Sequence, residues 1–174
     1  MENQKKTTAK TALNFGLLLG VITVVYGLML YSLDIHYKQE TSTSIIGYAI
    51  LIVIILFGII RFKNSNYGYI SLSESLKTGV GTALISSIIV SIYTIIMIKY
   101  LDPEFLSKSL EYQKQKMLQE NPEISLENVE KIFDMQKEFS GPFIISGFII
   151  IFNLFFGFII SLVVGLIVRK SKTE

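Results

Sequence analysis

Few side chains of this 174-residue chain could carry out chemistry, and they lie between four long apolar runs rather than within them. His36 is the only histidine, in a short joint near Asp34 and Glu40. A metal site would need more ligands nearby, so we interpret His36 as a surface histidine. The chain has no cysteine, which excludes disulfides and thiol chemistry. We therefore predict no catalytic, cofactor-binding or metal-binding residue.

The segment 67–77, before the third apolar run, holds the two residues that we select as candidate functional residues, Glu74 and Lys77. Ser71 or Ser73 can cap a helix that starts here, with Glu74 in its first turn. Glu74 and Lys77 can then pair across one turn. A well-capped helix entry is our interpretation, and a ligand site is the alternative.

Four helices must position these side chains, because none of the four apolar runs contains an Asp, Glu, Lys, Arg or His. Runs of about 17–25 such residues match the roughly 30 Å hydrocarbon core of a bilayer. We predict an all-α fold, an integral membrane four-helix bundle that forms a single transmembrane domain over residues 1–174. The predicted spans are 13–33, 44–60, 78–98 and 143–168.

The basic residues indicate how the chain is oriented. On the side of the chain ends the joints carry nine basic and three acidic residues, whereas the opposite joints carry seven basic and eleven acidic ones. Basic residues near span ends favour the cytoplasm, so both termini should be cytoplasmic. The nine basic residues are Lys5, Lys6, Lys10, Arg61, Lys63, Lys77, Arg169, Lys170 and Lys172.

The loop 102–141 between spans three and four should form an amphipathic helical hairpin on the outer side. Asp102 and Pro103 suit a helix start, and Pro122 breaks the first helix. A second helix should begin near Ser125 and end before Pro142. Its apolar stripes could pair the two helices or lay them on the bilayer. A partner-binding cap and a solvated hairpin both remain open.

Small residues recur every four positions in three spans, a spacing that lets helix backbones approach closely. They are Ala12, Gly16 and Gly20 in the first span, Gly79, Ala83, Ser87 and Ser91 in the third, and Asn153, Gly157, Ser161 and Gly165 in the fourth. Antiparallel packing predicts the pairs 79/165, 83/161, 87/157 and 91/153. Asn153 should then bond Ser91 or Ser87, worth about 0.6 kcal/mol. The alternatives to this pairing are a chance alignment of small residues and a face that binds a second copy. The second span, with its bulky aliphatic residues, should face lipid.

Several short motifs resemble one known family, the domain of unknown function 4199 family. They are Gly68-Tyr69-Ile70-Ser71 with Glu74, Leu76, Lys77 and Gly79, then Tyr93, then Leu101-Asp102-Pro103-Glu104-Phe105. The resemblance covers nearly the whole chain, including the four-span plan. It implies a small bacterial protein of the inner membrane with no assigned activity, and it transfers no catalytic residue.

Two functional interpretations follow. The leading one is a non-enzymatic multi-pass membrane protein that acts by association with itself or with another membrane protein. The alternative is a small transporter or channel subunit, in which Ser87, Ser91 and Asn153 would line water. An enzyme is not expected, because ionisable residues occur only outside the runs. The expected partners are the lipid bilayer and a protein in it; no basic, aromatic-rich surface indicates nucleic acid.

Overall fold

The fold is all-helical in the computed structural model, which describes residues 7–38 and 40–170. Six α-helices follow one another, and the four long ones are apolar and long enough to cross a membrane. Their bounds are α1 Thr8–Ser32, α2 Thr41–Ser65, α3 Leu72–Ile96, α4 Phe105–Glu120, α5 Leu126–Glu138 and α6 Pro142–Val168. The predicted fold class is confirmed. Lys5, Lys6 and Lys172, used in the orientation argument, lie outside the described residues.

The long helices begin earlier or end later than the apolar runs because polar residues form their first and last turns. Thr7, for example, accepts a hydrogen bond from the Lys10 backbone N–H at the start of α1. The start of α1, the α2–α3 joint and the end of α6 share one end of the bundle, which we call the chain-end face. The α1–α2 joint and the α4–α5 hairpin share the other, the hairpin face.

Helix α3 lies at the centre of the bundle and contacts α1, α2 and α6. It can do so because several small residues leave room for neighbours on more than one side: Ser75, Thr78, Thr82, Ala83 and Ser87 are all fully buried. The hydroxyls of Thr78 and Thr82 each donate to the carbonyl one turn back at 2.8 Å. These polar groups are therefore satisfied within the helix and cost little in an apolar interior.

The sequence predicted that the second span should face lipid, but one side of this helix is buried in the bundle. Ile55 and Ile59 have no exposed surface, and Leu51 and Phe62 are nearly as deeply buried. These side chains fill the core beside the small residues of α3 and α6. The opposite face of α2 stays exposed, Phe57 by 56%. The prediction was thus wrong for one face of the helix.

The loop between the third and fourth spans forms the predicted hairpin. A π-helical turn, Met97–Leu101, ends the third span and leads into α4. Helix α5 begins after Ser125, whose hydroxyl accepts from the Asn128 N–H at 3.3 Å. Val129 and Phe133 are buried between α5 and the rest of the chain. The hairpin therefore has a small apolar core of its own.

Candidate functional site

Helices α3 and α6 approach closely through their small residues. A Cβ added at Gly157 would lie 2.5 Å from the Cβ of Ala83, and one added at Gly165 would lie 2.8 Å from the Cβ of Ser75. Gly79 lies in the same way against Ser161. The stripes therefore face each other, but the predicted register is wrong by four residues, about one helical turn.

The predicted bond between Asn153 and the third span is not formed. The Asn153 side-chain amide donates to the Ile149 carbonyl of its own helix at 2.8 Å, and the Ser87 hydroxyl donates to Leu84. Ser91 instead meets Ser146, with each hydroxyl 3.3–3.4 Å from the carbonyl of the other residue. This cross-helix polar contact lies closer to the hairpin face than expected, and a second one, from the Ser75 hydroxyl to the Ser161 carbonyl at 3.0 Å, lies towards the chain-end face.

The glycines of α1 lie against large residues of α3. A Cβ at Gly16 would be 2.6 Å from the Cβ of Ile85, and one at Gly20 would be 2.6 Å from the Cδ1 of Ile89. Isoleucine side chains thus fill the grooves that the missing side chains leave. The α1–α3 contact therefore joins small residues to large ones.

Glu74 caps the helix in which it lies. Its carboxylate accepts from the Ser71 backbone N–H at 2.8 Å, while the Glu74 N–H donates to the Ser71 hydroxyl at 3.2 Å. This reciprocal pair is a capping box, which satisfies two backbone donors of the helix start. Lys77 is exposed, and the described residues form no Glu74–Lys77 ion pair within 4 Å. The geometry thus supports the helix-entry interpretation of both residues.

The motif residues before Ser71 hold the end of the fourth span. Ile70 is fully buried and exchanges both backbone hydrogen bonds with Lys170, at 3.1 and 2.9 Å. The Lys170 ammonium lies 5.5 Å from the centre of the Tyr69 ring. Gly68 has φ +79°, a conformation that favours glycine, so the chain can turn sharply into this bridge. The family-like motif therefore ties the α2–α3 joint to the residues after α6.

A cavity of about 420 Å³ opens in the hairpin-side half of the bundle, and we call it the α2–α6 groove. Its walls come from α2 and α6, and its floor comes from α1 and α3. The lining is largely aliphatic and aromatic, with Thr23, Ser44, Ser86 and Asn153 as the polar members and no ionisable carboxylate, amine or imidazole. Volume and lining are those of a small-molecule or lipid site. Asn153, whose side-chain amide lies deep within the fourth span, therefore borders the α2–α6 groove.

The α2–α6 groove ends towards the chain-end face, where Ala83, Gly157 and Ile55 pack together. Towards the hairpin face it adjoins a second cavity of about 440 Å³ beneath α4 and α5. Ile145, Phe148 and Ile149 line both cavities. The second cavity is more polar, since Gln113, Gln136 and Ser140 reach it.

His36 is not a surface residue, which corrects the sequence interpretation. Its side chain is 6% exposed, and its Nε2 lies 2.9 Å from a carboxylate oxygen of Asp102, which is 8% exposed. Because an ionised carboxylate only accepts, Nε2–H of His36 is the donor. Phe105 stacks on the imidazole at 5.5 Å, and Tyr31 meets its edge at 5.1 Å. A substrate therefore has little access to this pair.

Asp102 also binds the Lys108 ammonium, at 3.1 and 3.3 Å. Burial raises the pKa of the Asp102 carboxyl, but the hydrogen bonds from Lys108 and His36 outweigh burial, so the pKa lies below that of an ordinary aspartate. The same contact raises the pKa of Lys108. Asp102 therefore joins the α1–α2 joint to the first turn of α4. We call this set of three residues the hairpin tether.

The hairpin tether was missed because its members are far apart in the sequence: 66 residues separate His36 from Asp102. The one available signal was the motif Leu101-Asp102-Pro103, in which we interpreted Asp102 as a helix cap. It does accept from the Glu104 N–H at 3.2 Å, but the N-cap of α4 is Glu104 rather than Asp102. Because its neighbours in the sequence already account for Asp102, the sequence gives no sign of its distant contact with His36.

Comparisons with known proteins identify a family but no activity. Among the described residues there is no group of three or more His, Asp or Glu side chains placed to hold a metal ion. Searches of the curated proteins and of the solved structures found no match. Residues 14–170 match the family described as protein of unknown function, DUF4199. The chain, with its four apolar helices of membrane-spanning length, therefore belongs to the DUF4199 family.

Proposed function

We propose that this protein is a non-enzymatic membrane protein that acts by association, with a second copy or another membrane protein, through its α4–α5 hairpin. The observation that carries the proposal is an apolar stripe at the end of α5 and the residue after it, which the described part of the chain leaves largely exposed. Met135 and Phe139 are 60% and 59% exposed, and Ile132 is 39% exposed. Single exposed apolar residues are ordinary, but three on one side of a short helix and its C-cap favour a binding surface.

The α4–α5 hairpin is attached to the rest of the protein at both of its ends, so it can present the apolar stripe to a partner. Val129 and Phe133, which lie roughly a quarter-turn around α5 from the stripe, pack towards α4. The hairpin tether fixes the start of α4, and α6 follows α5 directly at Pro142. A surface positioned at both ends loses less freedom when a partner binds it.

We also infer that the hairpin faces outward from a bacterial cell membrane, with both termini in the cytoplasm. The support is the excess of basic residues at the chain-end face. The described part of that excess comprises Lys10, Arg61, Lys63, Lys77, Arg169 and Lys170.

The α2–α6 groove is the observation that favours the alternative, a transporter or channel subunit. Asn153 borders the groove as that interpretation required, but Ser87 and Ser91 are buried. The contacts of Ala83 and Gly157 close the groove towards the chain-end face. A path through one copy would need α3 and α6 to separate, so association is the better supported function.

A single cysteine placed by Asn128→Cys tests orientation and association together, because the natural chain has none. An impermeant maleimide should label it in intact cells, and a thiol crosslinker should give one discrete product whose mass identifies a second copy or another protein. The product should disappear in the background Ile132→Gln with Met135→Gln. It should persist in Glu138→Gln, a control change that introduces the same side chain at an exposed α5 residue outside the stripe. A product that survives the paired change, or none at all, would contradict the proposal.

A further inference from the structure

The α2–α6 groove has the chemistry of a hydrocarbon site. Its lining contains aromatic and aliphatic side chains, among them Tyr48, Phe148 and Phe152, and no charged group. A Cβ at Gly47 would meet nothing within 4 Å, and Phe152 is 57% exposed, so the groove is open between α2 and α6. At this depth along the spans the surrounding medium is lipid chains rather than water.

We propose that the groove binds one acyl chain of a phospholipid from the leaflet on the hairpin side, with the lipid's headgroup beneath the α4–α5 hairpin. The volume of about 420 Å³ lies within the roughly 300–1,000 Å³ of ordinary ligand sites. Helices bound it on the sides and floor, and the Ala83–Gly157 contact closes its deep end. A chain inside it is thus held on several sides, unlike a chain that only touches the outer surface.

The second cavity explains why the occupant is an amphiphile. It continues the groove towards the hairpin face and shares Ile145, Phe148 and Ile149 with it. Amide and hydroxyl groups of Gln113, Gln136 and Ser140 line it. These groups are hydrogen-bonded within the hairpin, but the second amide N–H of Gln113 and of Gln136 can still donate to glycerol or phosphate oxygens, which a free hydrocarbon lacks. An apolar groove below and a more polar cavity above it therefore match a phospholipid in its normal orientation.

The polar groups within the groove do not oppose a chain. The Asn153 amide donates to the Ile149 carbonyl at 2.8 Å, so part of its hydrogen-bonding capacity is met inside α6. The groove lies among the spans and the stripe of Ile132, Met135 and Phe139 lies on α5. The two sites share Phe139, which also borders the second cavity, so the test of the lipid site is confined to the groove within the spans.

Photocrosslinking in vesicles tests the site. The full chain is reconstituted in phosphatidylethanolamine–phosphatidylglycerol vesicles that contain a small fraction of phosphatidylglycerol with a diazirine in one acyl chain. After illumination, mass spectrometry of peptides maps the modified residues. The expected modifications concentrate on groove residues of α2 and α6, such as Gly47, Tyr48 and Phe152, rather than on the outward face of α1.

Two glycine changes provide the matched comparison. Gly47→Leu adds a side chain to the groove lining at a position where a Cβ meets nothing within 4 Å, and Gly147→Leu adds the same side chain to α6 at a glycine that is equally open but does not line the groove. Filling the groove should lower crosslinking there on the order of tenfold, and Gly147→Leu should leave it unchanged.

The proposal is overturned by modifications spread evenly over the exposed faces of α1, α2 and α6. Equal crosslinking in the two leucine variants also overturns it. So does efficient crosslinking of a Gly47→Cys protein to a second copy, because the groove would then hold protein rather than lipid. These results concern the spans alone, so a failure here leaves the test of the hairpin surface unaffected.

Discussion

The close contact of α3 with α6 predicts that the substitution Gly157→Ala destabilises the protein. The new methyl carbon would start 2.5 Å from the Cβ of Ala83, whereas carbon atoms rest at about 3.5–4.0 Å. The helices must therefore separate by roughly 1 Å, which also loosens the Gly79–Ser161 contact. Overpacking costs about 1–3 kcal/mol, and alanine returns about 0.5–1 kcal/mol of helix propensity. We expect a net loss of about 1–2 kcal/mol in the free energy of unfolding.

The assay is titration of the protein in mild detergent micelles with sodium dodecyl sulfate, followed by circular dichroism. Gly147→Ala is the matched control, because it makes the same change in the same helix where a Cβ meets nothing within 4 Å. That control should be neutral or slightly stabilising. The difference in unfolding free energy between Gly157→Ala and Gly147→Ala then excludes any general effect of alanine on α6.

A second change decides the register. Ala83→Gly in the Gly157→Ala background moves one methyl group from α3 to α6 and should restore most of the lost stability. The register predicted from sequence places position 157 opposite Ser87, so it predicts rescue by Ser87→Gly instead. Rescue by the Ser87 change alone, or a Gly157→Ala protein as stable as Gly147→Ala, would refute the packing described here.

Two further predictions concern the ends of the bundle. Ser71→Ala removes the capping box and should cost about 1 kcal/mol in the same titration, whereas Ser73→Ala, at an exposed neighbouring serine, should change little; equal losses would contradict the role of the box. At the hairpin tether, the pKa of Asp102 is lowered, so its stabilisation is present at neutral pH and is lost as the pH falls through that pKa. The raised pKa of Lys108 means that its contribution is lost only in strong alkali. Protease cleavage of the hairpin should therefore increase in acid, and Asp102→Asn should show that increase already at neutral pH; a flat pH profile for the natural chain would contradict the tether.

The sequence predicts the elements well because hydropathy and helix signals are local. Uncharged runs of spanning length define four helices, and Pro122 and Ser125 define the break in the hairpin. The register of α3 against α6 is a different matter. A small residue every fourth position fits almost equally well after a shift of one turn, and the structure adopts the shift that puts Gly157 against Ala83. Periodicity thus identifies the faces but leaves the register degenerate.

Burial in this chain depends on neighbours that periodicity does not show. The bulky second span looked suited to lipid, yet Ile55 and Ile59 are its most buried residues. The small residues of α3 and α6 leave volume that only large side chains from a third helix can fill. His36 is a polar example of the same problem, because its burial depends on a contact with Asp102, which lies 66 residues later in the sequence. In both cases the missing information is tertiary.

The placement of small and large residues along α6 accounts for the groove itself. Towards the chain-end face, Gly157 and Gly165 let α6 lie close against α3. Towards the hairpin face, Ser91 and Ser146 keep α3 and α6 in contact, while Phe148, Phe152 and Phe156 line the groove, and Phe156 meets Tyr48 of α2 at 5.2 Å between ring centres. Rings need more space than hydrogen atoms, so these side chains hold α6 away from α2 in this half. Tight packing and an open groove are therefore two results of one sequence gradient, and binding in the spans is expected only in the hairpin-side half.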